Sequence, residues 1–321
     1  MKKLYQLISF LLLFSFVIPL NAQLNLDTVK FQKHDNGKQW AFDYPPVDYL
    51  KKTYNLKTNE EWFEDIRLSA LRLPGCTSSF VSEDGLMMTN HHCARGLLER
   101  LKKEGEDLIK DGFFAKTLAE ERKIPNYYAD QLVLIKDVTE DIHNAEKEGT
   151  TVKEKAEKKK AKIKELSDKY QKETGLQIQI IPLFNGGKYS LYGYKRYTDI
   201  RLVFAPEMQV AYFGGDYDNF TYPRYNLDCT FYRAYENDKP VKSTNYFKFS
   251  LNGIEPGEPI FTVGNPGTTN RLKTVAQLEF ARDITYRNNA FLFDSYYYAL
   301  EDLKKEDPSR AKEFEDLRVQ L

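Results

Sequence analysis

Hydrophobic residues alternate with polar ones in several short stretches of the chain, which is the period of a β-strand. Segments 78–81 and 86–89 flank the turn Ser-Glu-Asp-Gly and predict a β-hairpin. Further strands, separated by Pro, Gly and Asp residues, are predicted at 177–180, 189–197, 198–205, 209–213, 229–235 and 259–263. This spacing is typical of a β-barrel or a β-sandwich.

Other parts of the chain repeat hydrophobic residues every three or four positions, the period of an amphipathic helix. Residues 59–71 follow this pattern, as do residues 94–109 and the stretch after Leu272. The strongly charged segment 131–172 is also predicted to be mostly helical. The two periods together predict a mainly β fold with helical insertions.

A lysine-rich stretch lies within the charged segment. Seven lysines fall between Lys153 and Lys164, with Glu154 and Glu157 among them. A functional interpretation would make this stretch a patch that binds polyanions or a membrane surface. We interpret it instead as a solvated helix face on which residues four apart form ion pairs.

The C-terminal residues have the pattern of a helix start. Asp307 precedes Pro308, a combination that favours an N-cap followed by the first helical position. Leu321 then falls inside an amphipathic helix that no Gly or Pro ends. We therefore expect the sequence to be truncated here.

The first 22 residues have the pattern of an export signal. Lys2 and Lys3 precede a largely apolar run at 7–18, and Ala22 offers a small residue for cleavage. The run is shorter than the roughly 20 apolar residues of a membrane span. We expect a cleaved signal peptide and an exported protein without a membrane span, and an uncleaved anchor is the alternative.

The charge of the remaining chain is nearly balanced. Without Lys2 and Lys3, 45 basic residues stand against 47 acidic ones. A nucleic-acid-binding domain usually has a clear basic excess, so this balance disfavours a nucleic-acid partner. The 321 residues are enough for about two domains.

Two adjacent histidines follow the second strand of the predicted hairpin. His91 and His92 stand between that strand and the helical stretch from residue 94. A histidine at a strand end is rigidly placed, as a general base must be to work within about 3 Å of a proton. The motif His-His-Cys could instead bind a metal, but adjacent strand residues point to opposite faces, which disfavours a shared ion. A purely structural role for both histidines is the other alternative.

The chain contains three cysteines, Cys76, Cys93 and Cys229. Export permits a disulfide, and the odd number leaves one cysteine over. Cys93 could pair with Cys76 across the hairpin, and we predict this bridge. Three free, buried thiols are the alternative.

A glycine-led loop at 214–228 carries three carboxylates and four aromatic residues before the strand 229–235. Its Asp residues could cap backbone groups of the loop. Asp216 and Asp218 could bind a metal, but no further oxygen-ligand spacing supports this. The functional interpretation takes one Asp to orient a histidine and stabilise its imidazolium, as in a Ser-His-Asp triad. Asp228, next to a strand, would be held most rigidly.

Four segments together, 79–93, 185–188, 214–228 and 264–271, resemble the S46 family of bacterial dipeptidyl peptidases. The likeness covers nearly the whole mature chain, in order. It implies a trypsin-like (chymotrypsin fold) double β-barrel with a large helical domain, and removal of dipeptides from free N-termini. It also implies peptide substrates, no cofactor, no metal, a homodimer, and a place in the periplasm or at the cell surface of a Gram-negative bacterium.

The resemblance also assigns roles to individual residues. His92 matches the general base, and Asp228 matches the acid that orients it. Asn219 matches the amide that holds the substrate α-amino group, and Phe220 takes the adjacent aromatic position, often Trp in the family. The family's nucleophilic Ser stands in a Gly-x-Ser-Gly setting near the C-terminus, and no such setting occurs in these 321 residues.

These inferences divide the chain into a signal peptide (1–22), a first catalytic barrel (23–275) with a charged helical insertion at about 98–172, and the start of a helical domain (276–321). The second barrel and its Ser would lie beyond residue 321. We therefore expect a serine-type dipeptidyl peptidase whose first 321 residues are inactive alone. A glutamyl-type endopeptidase of the same fold and a non-catalytic binding protein on a truncated peptidase scaffold are the alternatives.

Overall fold

The computed structural model describes residues 30, 37–212, 225–266 and 273–318. Within these residues, eleven strands form one antiparallel sheet. The strands are β1 (Ala70–Leu73), β2 (Cys76–Phe80), β3 (Leu86–Thr89), β4 (Phe113–Phe114), β5 (Arg122–Lys123), β6 (Ala129–Asp137), β7 (Gln177–Leu183), β8 (Lys188–Tyr197), β9 (Asp199–Ala205), β10 (Thr230–Glu236) and β11 (Lys239–Pro240).

Helices lie before, between and after the strands. They are α1 (Val47–Tyr54), α2 (Glu60–Ser69), α3 (His91–Leu101), α4 (Leu108–Asp111), α5 (Thr139–Lys147), α6 (Val152–Thr174), α7 (Met208–Ala211), α8 (Val275–Phe280), α9 (Tyr286–Glu306) and α10 (Ala311–Arg318). A π-helical turn, Ala281–Thr285, joins α8 to α9. Asp307 accepts a hydrogen bond from the backbone of Ser309, which confirms the predicted helix start at this position.

The order of neighbouring strands is β4-β9-β10-β3-β2-β1-β6-β8-β7, with β5 also on β9 and β11 also on β10. The hairpin β2–β3 confirms the strands predicted on either side of the turn at 82–85. β10 pairs with β3 in a register that sets Thr230 opposite Thr89. The chain segments that precede β10 and follow β3 therefore lie side by side.

The sheet curls around a core to which most of its strands contribute. Phe80 on β2 and Tyr197 on β8 are in edge-to-face contact, with ring centroids 5.8 Å apart, although β1 and β6 separate their strands in the sheet. Leu71, Met87 and Tyr232 are fully buried in the same cluster. The described part of the chain thus has a mainly antiparallel β fold with added helices. The trypsin-like double barrel stays a prediction.

A second cluster lies where α5 and α6 cover β8. Ile142, Leu166 and Leu191 are buried in it. The helix α6 begins with a capping box of Thr151 and Glu154 and ends at a left-handed glycine, Gly175.

The lysines of α6 are mostly exposed and pair with nearby carboxylates. Lys164 contacts Asp168 four residues on, and Lys159 contacts Glu146 of α5 at 3.1 Å. These contacts agree with the interpretation of the segment as a solvated helix face.

Three predictions of local structure were wrong. Residues 131–137, predicted as helix, belong to β6, because their apolar run Leu-Val-Leu-Ile is compatible with either element and pairs with β8. Residues 209–212, predicted as part of a strand, lie in and just after the one-turn helix α7. The segment 259–263, also predicted as a strand, has no strand partner among the described residues.

The predicted helical insertion at about 98–172 contains β4, β5 and β6 as well as helices, so it is not helical throughout. The domain bounds 23–275 and 276–321 stay predictions. Among residues 37–212, 225–266 and 273–318, no helix combines the length and apolar character that crossing a membrane requires.

Candidate active site

The first turn of α3 carries His92 directly after β3. The preceding Asn90 has an extended backbone and is the N-cap residue of the helix. Cys93, the next residue after His92, forms a disulfide with Cys76 at the start of β2, and their Cα atoms are 6.3 Å apart. This confirms the predicted bridge, and Cys229 remains a free thiol. The bridge fixes the helix start to the neighbouring strand.

Asp228 approaches His92 from the segment that leads into β10. Its Oδ2 lies 2.8 Å from His92 Nδ1, and its Oδ1 accepts a hydrogen bond of 3.0 Å from the backbone N–H of His92. The pairing of β10 with β3 brings these two residues together across 136 positions of sequence. The expectation that His92 and Asp228 come within hydrogen-bond reach is confirmed.

Asn90 holds the same carboxylate from a second side. Its Nδ2 donates to Asp228 Oδ2 at 3.1 Å and to the Asp228 carbonyl oxygen at 3.2 Å. This contact was not predicted from the sequence, although an Asn just before a helix is a recognisable signal. An N-cap side chain normally accepts from its own helix, but Asn90 makes no such bond and donates to Asp228 instead.

The electrostatics of the pair favour a charged carboxylate. Partial burial raises the pKa of Asp228, but hydrogen bonds from His92 and Asn90 lower it by more, so the net pKa lies below its ordinary value. The tautomer of His92 that pairs with a charged Asp228 carries its proton on Nδ1, which leaves the imidazole lone pair on Nε2. This tautomer suits a general base, and the carboxylate would stabilise the imidazolium that forms.

His91 has a different environment from its neighbour. Its side chain is buried, with 1% of its surface exposed, and Nε2 has no hydrogen-bond partner among the described residues. Burial lowers the pKa of His91 below its ordinary value and outweighs the opposite effect of the Asp228 charge. His91 therefore does not share the Asp228 carboxylate, as expected, and the geometry does not favour an ion held by both histidines.

Two residues with predicted roles, Asn219 and Phe220, lie outside the described residues, as do Asp216 and Asp218. Their roles stay predictions. The predicted turn at 264–267 is described up to residue 266. In it, the backbone N–H of Asn265 donates a hydrogen bond to Thr77 Oγ1 at 2.9 Å. Thr77 follows Cys76 in β2, so this segment contacts the strand that carries the disulfide.

The chain is similar to dipeptidyl peptidases over much of its length. It is 34% identical over 222 residues to dipeptidyl-peptidase 7 of Phocaeicola vulgatus, a match that covers 64% of this chain and 31% of that protein. It is 32% identical over 248 residues to the Asp/Glu-specific dipeptidyl-peptidase of Shewanella putrefaciens, covering 72% and 33% respectively. The chain thus spans about a third of the length of these relatives.

The fold is similar to that of solved structures of DPP11 from Porphyromonas endodontalis. One of them matches with a TM-score of 0.70 and 21% identity, over 88% of this chain and 44% of that one. Its complex with the dipeptide Arg-Asp matches with a TM-score of 0.68 and 22% identity, over 85% of this chain and 42% of that one. At this identity the likeness shows the fold.

The sequence profile of one peptidase family, described as Peptidase S46, matches residues 34–318. This match includes the hairpin, the paired His92 and Asp228, and the C-terminal helices. The chain belongs to the Peptidase S46 family.

Proposed function

We propose that this protein is an exported serine-type dipeptidyl peptidase, in which His92 is the general base and Asp228 orients it. The supporting observation is the 2.8 Å contact between His92 Nδ1 and Asp228 Oδ2, at a position fixed by a disulfide and a strand pair. Its curated relatives are named dipeptidyl peptidases, which favours this activity over other uses of the same pair.

In the proposed reaction, His92 Nε2 removes the proton from a serine hydroxyl as the oxygen attacks the scissile carbonyl. The resulting imidazolium then gives this proton to the leaving amine, and a water repeats the sequence to release the dipeptide. Asp228 keeps Nδ1 protonated throughout and stabilises the imidazolium. Because the neighbouring Asn90 also binds Asp228, the carboxylate is held in this orientation from two sides.

We place the nucleophilic Ser outside the 321 residues, in a second barrel. None of the serines of this chain has a glycine neighbour, and Gly-x-Ser-Gly does not occur. The oxyanion hole of such enzymes uses backbone N–H groups beside the nucleophile, so it would be supplied by the same region.

Exopeptidase action requires recognition of a free substrate N-terminus. We assign this to the Asn219 side-chain oxygen, which would accept a hydrogen bond from the substrate ammonium, with Phe220 beside it. A hydrogen bond to a charged group contributes roughly 1.5–3 kcal/mol. Asn219→Ala should therefore lower kcat/KM for free peptides by roughly 10- to 150-fold. Equal losses on free and N-terminally blocked peptides would contradict this role.

The experiment for the proposed activity uses protein made from the complete reading frame. Dipeptide release is measured on chromogenic peptides with a free N-terminus and on the same peptides with an acetylated one, before and after a serine-directed covalent inhibitor. We expect release from the free peptides only, and its loss after inhibition. Equal cleavage of both peptides would indicate an endopeptidase, and neither cleavage nor labelling would indicate a non-catalytic protein.

A further inference from the structure

Three side chains of the types that can bind metal ions lie close together at the start of α3. The sulfurs of Cys76 and Cys93 and a ring nitrogen of His92 all lie within 4.8 Å of one another. Cys76 comes from β2, while His92 and Cys93 come from the first turn of the helix. Two elements of the fold, β2 and α3, therefore contribute these donors, and a disulfide joins the two sulfurs.

The disulfide is open to reduction, since both cysteines are partly exposed. A dithiol reductant would attack one sulfur as a thiolate and form a mixed disulfide, and its second thiol would then close and release the other cysteine. The reductant loses two electrons and becomes a disulfide, while Cys76 and Cys93 each gain a proton as thiols. A divalent ion that bound both sulfurs would displace these two protons into solvent.

The donor set suits zinc after this step. Two thiolates and one imidazole, with water in the fourth position, form one of the known tetrahedral arrangements of protein-bound Zn²⁺. With Zn–S of about 2.3 Å and Zn–N of about 2.0–2.1 Å, tetrahedral donors stand about 3.5–3.8 Å apart. The observed spacing within 4.8 Å allows this once the sulfurs separate.

Asp228 supplies the outer contact that such sites commonly have. Histidine ligands usually donate their second ring N–H to a carboxylate, which fixes the tautomer and makes the ligating nitrogen more basic. Asp228 Oδ2 stands 2.8 Å from His92 Nδ1 in this way, and the lone pair is then on Nε2.

We propose that reduction of the Cys76–Cys93 disulfide converts this corner into a Cys₂His site for a thiophilic divalent ion such as Zn²⁺. The ion takes the imidazole that the oxidised protein uses as a base. The oxidised form is the peptidase, and the reduced, metal-loaded form is inhibited. The inhibition rests on the proposed function, whereas the metal binding stands independently of it.

The direct test is a Co²⁺ titration of the protein in both redox states, followed by absorption spectroscopy. The protein is reduced with a dithiol, and the reductant is removed anaerobically. We expect one tightly bound ion with thiolate-to-cobalt charge-transfer bands in the reduced protein, and no such bands in the oxidised protein. Absence of these bands after reduction would overturn the proposal.

Variants identify the ligands. Cys76→Ser, Cys93→Ser and His92→Ala should each weaken binding, and Asp228→Asn should weaken it by about 10- to 100-fold, as outer contacts of metal ligands do. Cys229→Ser is the matched control, since this thiol is outside the cluster, and its reduced form should bind like the reduced wild type. Loss of binding in Cys229→Ser, with binding unchanged in Cys76→Ser, would contradict the assigned ligands.

A thiol count on the wild type avoids any dependence on variant folding. The reduced protein should expose three thiols to a disulfide reagent under denaturing conditions. Under native conditions, Zn²⁺ should protect two of them. Protection of none would contradict the site.

Activity assays then test whether the bound ion inhibits the peptidase. We expect Zn²⁺ to abolish dipeptide release only after reduction, and a chelator to restore it. A reduced protein that binds Co²⁺ through both cysteines but remains active would overturn the inhibition. A protein that binds the ion as described but cleaves nothing in either state would instead contradict the proposed peptidase function.

Discussion

The curled sheet and the C-terminal helices use similar hydrophobic residues but bury them to different degrees. Phe80 and Tyr232 are fully buried in the sheet core, whereas Phe291 and Tyr298 of α9 are 71% and 66% exposed. Among the described residues, none of α9 is buried. An amphipathic pattern thus specifies which face can be buried, but only a packing partner buries it.

The same contrast explains where a precise site can form. His92 and Asp228 are positioned by a disulfide, by the pairing of β3 with β10 and by the packed core beneath them. In α9 and α10 Phe314 is buried, but other side chains form surface ion pairs such as Lys304 with Glu315, which contribute little to stability. The proposed general base and its orienting acid would have to be held within fractions of an ångström, and the disulfide and the strand pairing act to hold them.

The largest expected difference between the two regions is catalytic. Asp228→Asn in the complete protein should lower kcat by about 10⁴-fold, because an amide favours the wrong tautomer of His92. Asp302→Asn on the exposed surface of α9 is the matched control and should leave kcat close to that of the wild type. Similar losses in both variants would show that Asp228 has no special role.

A comparison of two Phe substitutions tests the difference in packing. Phe80→Ala should lower the free energy of unfolding by about 3–5 kcal/mol, because it leaves a cavity in the core. Phe291→Ala should change it by less than about 0.5 kcal/mol, as exposed positions do. Denaturant unfolding of the same purified chain gives both values. A large cost at Phe291 would show that α9 is packed against another surface.

The sequence predicts those elements that local residue patterns specify, and it does not predict those that depend on a distant packing partner. Local signals were sufficient for the hairpin β2–β3, for the disulfide and for the N-cap at Asp307. They failed for β6, since a short apolar run is compatible with a helix or a strand until its partner β8 is known.

The candidate site shows the same division. The His-His-Cys motif and the Asp before a strand pointed to His92 and Asp228, and the family resemblance chose between the two histidines. The role of Asn90 was not predicted, because it depends on the register that brings the segment before β10 against α3. A contact 138 residues distant in sequence leaves no local pattern.

Removal of the Cys76–Cys93 disulfide tests how much this bond stabilises the folded chain. Cys76→Ser should lower the free energy of unfolding by about 3 kcal/mol, the loop-closure value for a separation near the 17 residues found here. Cys229→Ser is the thiol control, and we expect a change of less than about 1 kcal/mol. Equal effects would show that the bridge does not constrain the unfolded chain.

The smallest expected effect concerns His91. Burial holds its pKa below 6.5 in the folded protein, whereas the unfolded chain binds the proton at its ordinary pKa of about 6.5. Unfolding therefore takes up a proton below that pH. The contribution of His91 to the free energy of unfolding is full above pH 6.5. It declines as the pH falls towards the pKa of His91 in the folded protein, with a slope of at most about 1.4 kcal/mol per pH unit.

The corresponding measurement is the free energy of unfolding as a function of pH for the wild type and for His91→Gln. The difference between the two proteins should shrink as the pH falls through this window. A difference that does not vary with pH would show that His91 is not kept neutral by burial.

In the proposed reaction His92, paired with Asp228, is the general base. The kcat for dipeptide release by His92→Ala, by His143→Ala and by the double variant His92→Ala with Asp228→Asn tests this role. His143 is the control, since it lies on α5 and contacts the Gly186 carbonyl. We expect a loss of about 10⁶-fold for His92→Ala, little further loss in the double variant because the two residues act as a unit, and near wild-type activity for His143→Ala. A His92→Ala protein that folds and retains activity close to that of the wild type would contradict the claim.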